Sequence, residues 1–485
     1  MRRITRGALR YLAVVLLGGL AGCDNTSEPA PPPQGGLSAA AGDAQVAATA
    51  TTLQPYRVRV AAADGQPEAD VTVSWAVVSG GGSIDPASSV SDGVGIAEAT
   101  AVLGDVPGIQ VVTASVPGHA GSPVTFRSRG LGPGFSVLGG GGNVPERYTS
   151  DLWVADGYGY SGTWGNRGAV GNALKIWQLD LVGAPSLVDS IVTPGIGTVS
   201  DVQVSEDGRW LMFTGERGTP SGNGIYVYEL LAPGQPVFRA HLAAAEGLHT
   251  GTLAEIGGSL YAFTAKNPPS PSMIVYDLSG ASGGTITQES STPVPANYGI
   301  HDTVVRDGIC FAFVWNEGVY IYDVGNGTAG GSPAAPVQLA TLSIPGGQAH
   351  NGWWFWNQLT GEHRYLFIGQ EMPGTVGVSS AGLIYVADVS DLRHPAVVAS
   401  FSEPGAGTHN FWVDEQREVL YAAYYNAGVV ALDVSGALTG DLYPLRRMAT
   451  IRPGAASTYT WGVMLYNGSL YTSDMLSGVW QLGVP

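Results

Sequence analysis

From Leu37 onward the chain consists of short apolar runs separated by Gly, Asp, Asn and Pro, and no stretch shows apolar residues at helical spacing. Tyr56-Arg57-Val58-Arg59-Val60 alternates apolar with polar, and Asp64-Gly65 supplies a turn. Val71-Thr72-Val73-Ser74-Trp75-Ala76-Val77 follows with one apolar face, then Ile96 to Leu103, Ile109 to Val116, and Val124-Thr125-Phe126. Strands this short at this spacing predict a β-sandwich over residues 37–130, with Trp75 in its core. Beyond residue 130 the apolar runs become continuous, as in Gly382 to Ser390, Gly318 to Val324 and Gly428 to Ser435. Such strands are covered on both faces.

The later runs repeat. Ser150-Asp151, Ser200-Asp201, His249-Thr250, His301-Asp302, His350-Asn351, His409-Asn410 and Thr460-Trp461 each open an apolar segment, at intervals of roughly fifty residues. A unit of that length, filled with short strands, is a four-stranded sheet that must stack on its neighbours to cover its faces. In one unit Ser200 to Ser205 reads as the inner strand, Arg209 to Thr214 the second, Ile225 to Leu230 the third and Val237 to His241 the outer edge. The seventh unit ends before a fourth strand, and Phe135-Ser136-Val137-Leu138 is free to supply it. The predicted fold is all-β, an N-terminal β-sandwich followed by a seven-bladed β-propeller over 131–485.

Residues 1–22 are set apart from the fold. Arg2, Arg3, Arg6 and Arg10 precede a short apolar stretch, Tyr11 to Leu20, and then Leu20-Ala21-Gly22-Cys23. This order resembles a bacterial lipoprotein signal with its lipobox, which implies cleavage before Cys23 and a lipid on that thiol. Asp24 resembles an inner-membrane retention signal, a rule that varies between bacteria and leaves periplasmic face and cell surface both open. Residues 23–36 are polar and proline-rich, an extended spacer. The implied location is the bacterial cell envelope, with the lipid as the link to the membrane.

The formal charge is −17, and loss of the four leader arginines makes it more negative still. A polyanion of this size repels phosphate backbones, which excludes nucleic acid as a partner class. With Cys23 lipidated, Cys310 is the remaining cysteine, so no intramolecular disulfide forms and stability rests on packing. Cys310 sits in Gly308-Ile309-Cys310-Phe311-Ala312-Phe313-Val314, a buried setting for a thiol.

Two further resemblances concern modules. Gly42-Asp43-Ala44-Gln45, Asp64-Gly65-Gln66-Pro67, Val73-Ser74-Trp75, Ser79-Gly80-Gly81-Gly82, Ser91-Asp92-Gly93 and Gly121 to Phe126 are similar to bacterial immunoglobulin-like domains of the invasin and intimin type. That likeness implies a stalk. The segments Gly382 to Ser390, Gly318 to Val324 and Gly428 to Ser435, with His394-Pro395-Ala396-Val397-Val398, resemble LVIVD-repeat propellers of bacterial surface proteins. It implies an architecture, since that family has no single established activity.

In a propeller the residues opening each repeat gather around the central channel. His249, His301, His350 and His409 come from four consecutive blades, with Asp302, Asn351 and Asn410 following three of them and Asp151 and Asp201 beside them. Four imidazoles on one arc are candidate ligands for a transition metal, and carboxylates complete or orient such sets. The competing reading is structural, as in WD-repeat propellers, where a repeated histidine holds a loop. Rim loops carrying Tyr160, Trp164, Arg167 and Arg217, and the segment 370–380, would overhang the channel and set specificity. Trp353-Trp354-Phe355-Trp356 reads as core packing. Two functions follow: a scaffold binding a protein, glycan or small-molecule ligand, or a metal-dependent enzyme with Asp302 or Asp201 as base.

Overall fold

The computed structural model describes residues 35–485 apart from 44, 106–107, 132–133, 143–145, 166–167, 181–182 and 296–298. The leader, Cys23, most of the spacer and Arg167 lie outside the described residues. The regular secondary structure of the described residues is almost wholly strand, with two single-turn 3₁₀ segments.

The N-terminal unit has two sheets. One contains Gly36–Ala41, Tyr56–Ala61, Ile96–Val102 and Ser83–Asp85; the other contains Val46–Ala48, Val124–Leu131, Gly108–Ser115, Thr72–Ser79 and Ser88–Val90. Their inward residues form one core of Tyr56, Val58, Val73, Trp75, Ala99, Val112 and Phe126. Alternation in the sequence becomes alternation in burial: in Tyr56–Ala61 the tyrosine and both valines are buried and the arginines exposed. The first strand begins at Gly36, inside the segment expected to be spacer, because its backbone pairs with Tyr56–Ala61.

The remainder is a β-propeller of seven blades built on four strands each; Trp164 pairing with Thr198 joins the first two into one sheet, and Gly440–Asp441 adds a short fifth strand to the fifth blade's sheet. The inner strands are Arg147–Ala155, Thr198–Val204, Leu248–Ile256, Asp302–Arg306, Ala349–Phe355, Phe411–Asp414 and Thr460–Tyr466. The middle strands are buried on both faces, as in Trp210–Glu216, where every residue is covered. Interblade cores account for this; Phe311 and Ile321 of the fourth blade pack with Trp354 and Leu366 of the fifth.

Ring closure combines the two ends of this region. The last blade is completed by Ser136–Gly142, which runs antiparallel to Gly478–Gly483. Glycine is required at Gly140, whose φ is +138° and where a Cβ would lie 2.4 Å from the Val479 carbonyl oxygen. Leu152, Val154 and Trp177 of the first blade then pack on Met464, Tyr471 and Val479 of the last.

The Asp that ends four of the third strands, at positions 277, 323, 388 and 433, is a turn former. Asp388 accepts the Ser390 N–H and Asp433 accepts the Ser435 N–H. Asp323 does most: its two oxygens accept N–H groups from Gly325, Asn326, Ala329 and Gly331 at 3.0, 2.9, 2.6 and 3.2 Å. Burial acts to raise its pKa, but these donors outweigh it and hold the carboxyl down at about 2.

Two outcomes are expected. Deleting 136–142 exposes the edge of Gly478–Gly483, so the variant loses cooperative thermal unfolding and aggregates, as read by calorimetry and size-exclusion chromatography. Asp323→Asn lowers stability at pH 7 by about 2 kcal/mol in urea denaturation. Because the folded pKa lies below the unfolded one, that stabilisation is complete above about pH 4 and vanishes as pH falls towards 2. The gap between wild type and variant closes over the same interval.

Candidate metal centre

The repeat-opening dipeptides coincide with irregularities in the inner strands. In five blades the ladder to the second strand slips at that point, between Thr149 and Leu152, Val199 and Val202, Leu248 and Gly251, Ala349 and Asn351, and Thr460 and Gly462. A bulge turns neighbouring side chains towards the same side. The result is layers of side chains across the channel.

The first layer is aromatic. Ring centroids are 4.3 Å apart for His249 and His301, 4.1 Å for His301 and His350, and 4.2 Å for His350 and His409. Trp461 lies 4.3 Å beyond His409, and Trp164 closes the circle 5.3 Å from Trp461 and 6.2 Å from His249. All four imidazoles therefore meet in one cluster.

Their partners divide them. His249 Nδ1 is 3.1 Å from Glu216 Oε1, and Glu216 Oε2 also accepts from Asn267 Nδ2 at 2.6 Å. Burial acts to lower the His249 pKa, but Glu216 outweighs it and raises it. His409 Nδ1 donates to the Trp461 carbonyl oxygen at 2.8 Å, and its Nε2 is buried without a partner. Each of these two rings is tied through Nδ1 to a neighbouring segment.

His301 and His350 differ. Their Nε2 atoms are 3.4 and 3.7 Å from Glu371 Oε2, longer than well-formed N–H···O bonds. The three ligand atoms lie within 4.8 Å of one another. Donors held about 2.1 Å from a tetrahedral metal are themselves about 3.4 Å apart, so this spacing fits a transition-metal ion. Burial first, then the neighbouring imidazoles, keeps His301 well below its ordinary pKa, and burial lowers His350 too. Both present neutral rings with lone pairs. Glu371 is fixed from the other side by the Tyr425 hydroxyl, which donates to its Oε1.

The second layer is carboxylate and amide. Asp151 Oδ1 accepts from Asn410 Nδ2 at 2.8 Å, and Asp201 Oδ2 accepts the Gly251 N–H at 2.8 Å. Asp302 accepts the Thr303 N–H. Burial, with the charge of Asp201 next, lifts Asp151 and Asp302 well above the carboxylate range, and burial lifts Asp201. A cavity of about 30 Å³, room for one water, separates this layer from the imidazoles.

Several expectations change. The histidine end is not an open mouth: Trp315 stacks on His301, and a cluster of Tyr425, Tyr459 and Met475 packs with Val376 and Leu476 above it. Segment 370–380 forms part of that roof, with Met372–Pro373 paired to Ser380–Ala381. Tyr160 is no rim residue; it lies on Tyr158–Gly165, fully buried, its hydroxyl donating to the Pro233 carbonyl. Arg217 is exposed and covers the Trp164 ring at 5.4 Å. Trp354 is core, whereas Trp353 faces the channel.

Glu371 escaped the sequence reading because nothing in its own repeat register marks it. The available signal was a polar Gln370-Glu371 pair closing the apolar strand Tyr365–Gln370. Glu216, one residue before the rim residue Arg217, is buried against His249.

No family model and no curated protein matches the chain. Similar solved structures include the β-propeller domain of Cps50 (Swd1) from Myceliophteria thermophila, at 10% identity and a TM-score of 0.49, covering 71% of this chain and 99% of that one. Another is the C-terminal WD40 domain of Sif2, at 10% identity and a TM-score of 0.48, covering 73% of this chain and 100% of that one.

Proposed function

We propose that this is an envelope-anchored binding protein whose propeller holds a transition-metal ion between His301, His350 and Glu371. The convergence of those three ligand atoms within 4.8 Å carries the reading. Two imidazoles and one carboxylate suit a first-row divalent ion. His409 and His249 stand next to the set, and Tyr425 orients Glu371 as an outer partner. In this reading the lipid on Cys23 anchors the chain, the proline-rich spacer extends from it, and the N-terminal unit is an immunoglobulin-like stalk below an LVIVD-type propeller. The leader, lipobox and strongly negative charge support that arrangement.

The enzyme reading keeps one supporting observation. His301 and His350 line a cavity with room for one water, an arrangement that suits a catalytic metal site. Asp201 or Asp302, which line the same cavity, would then serve as the base. Substrate would approach from the far side of the carboxylate layer, because the histidine end is roofed.

Protein purified without an affinity tag and offered Zn, Cu, Fe, Co or Mn in turn should retain one equivalent of a preferred metal by elemental analysis. Replacing His301 and His350 together by Ala removes it, Glu371→Gln weakens it at least about tenfold, and the exposed His394→Ala leaves it unchanged. Equal metal content in folded wild type and double variant overturns the assignment. For the anchor, Cys23→Ala should move the protein from the membrane fraction to the soluble one, and continued sedimentation with membranes overturns it.

A further inference from the structure

Beyond the carboxylate layer the channel widens into a cavity of about 440 Å³, within the size range of small-molecule sites. Asp151, Asp201, Asp302 and Asn410 line both this cavity and the small one beside the histidines, so the layer is a shared wall. The side walls are indoles. Trp353 and Trp412 are 5.0 Å apart at 60°, Trp153 and Trp412 6.4 Å apart at 76°, and all three are partly exposed to the cavity.

The charges are one-sided. Among the described residues lining the cavity, Arg306 is the one basic side chain, and Glu415 claims it through contacts of 2.5 and 3.0 Å. Glu415 also accepts the Trp353 indole N–H at 3.1 Å, which fixes that wall. On the far side of the layer, His249 is engaged by Glu216. The three aspartates have backbone N–H groups, Asn410, Thr250 and, between Asp151 and Asp201, each other as partners, but no basic side chain within the cavity. Asn351, 3% exposed, lines the same space. Indole faces attract cations, and an ammonium placed against these three carboxyls would favour their ionised, acceptor form.

We propose that this cavity binds a protonated amine on an apolar or aromatic body, its ammonium against the Asp151, Asp201 and Asp302 layer and its body among Trp153, Trp353 and Trp412. The site is separate from the metal ligands and adds a ligand class to the propeller. A neutral ligand of the same shape would leave the acceptors without a counter-charge, whereas an anion would meet like charge.

The test is calorimetric titration of the full-length protein in detergent, stripped of transition metal by chelation so that the result does not depend on the metal assignment. The probes are 2-phenylethylammonium, its neutral isostere 2-phenylethanol, and calcium chloride. Saturable binding of the ammonium is expected, with the alcohol at least tenfold weaker. Asp201→Asn should narrow that preference, and Trp412→Phe should weaken the ammonium at least threefold. Where Asp201→Asn does not fold, Asp302→Asn makes the same test. Equal binding of ammonium and alcohol, no binding of either, or binding of calcium alone overturns the proposal.

Discussion

Everything at the centre of this molecule depends on one constraint, the closure of seven blades into a ring by a strand that precedes the first of them. Antiparallel pairing of Ser136–Gly142 with Gly478–Gly483 joins the start of the propeller to its end. With the circle closed, the first and last blades share the core built on Trp177 and Tyr471. The inner strands then have no freedom to splay, and side chains distant in sequence are brought to van der Waals distance. Asn410 and Asp151 meet across 259 positions for this reason.

Closure also concentrates polar groups where water is scarce. Four imidazoles, Glu216, Glu371 and three aspartates sit inside the ring, an arrangement that costs stability unless hydrogen bonds or counter-charges offset desolvation. Part of the compensation is visible in ties between blades. Ser150 donates to the Val199 carbonyl, Thr250 to that of His301, and His409 to that of Trp461. Part is missing: His409 Nε2 and the Nδ1 atoms of His301 and His350 are buried without partners. Interblade packing supplies the stability that tolerates such groups, and tolerated unsatisfied polarity is where recognition chemistry is found.

Much of this was legible in the primary structure because repetition and period are local properties. Continuous apolar runs at intervals of roughly fifty residues marked buried strands, and a last unit one strand short marked the need for a latch. The four histidines could be singled out because they occupy one repeat position. Glu371 and Tyr425 could not, since each lies off that position and acts through a roof that a single blade does not contain. Tyr160 misled for a related reason: a tyrosine near glycines resembles a loop residue until the adjoining blade covers it.

The amino-acid order alone therefore determined the strand character, the repeat and the set of side chains offered to the channel, because alternation, turn residues and spacing act over a few residues at a time. Which end of the channel is roofed, which two histidines share Glu371 and which tryptophans face open space were decided only by the tertiary structure. Those outcomes depend on bulge direction and on contacts between blades, and such contacts exist only once the ring is complete.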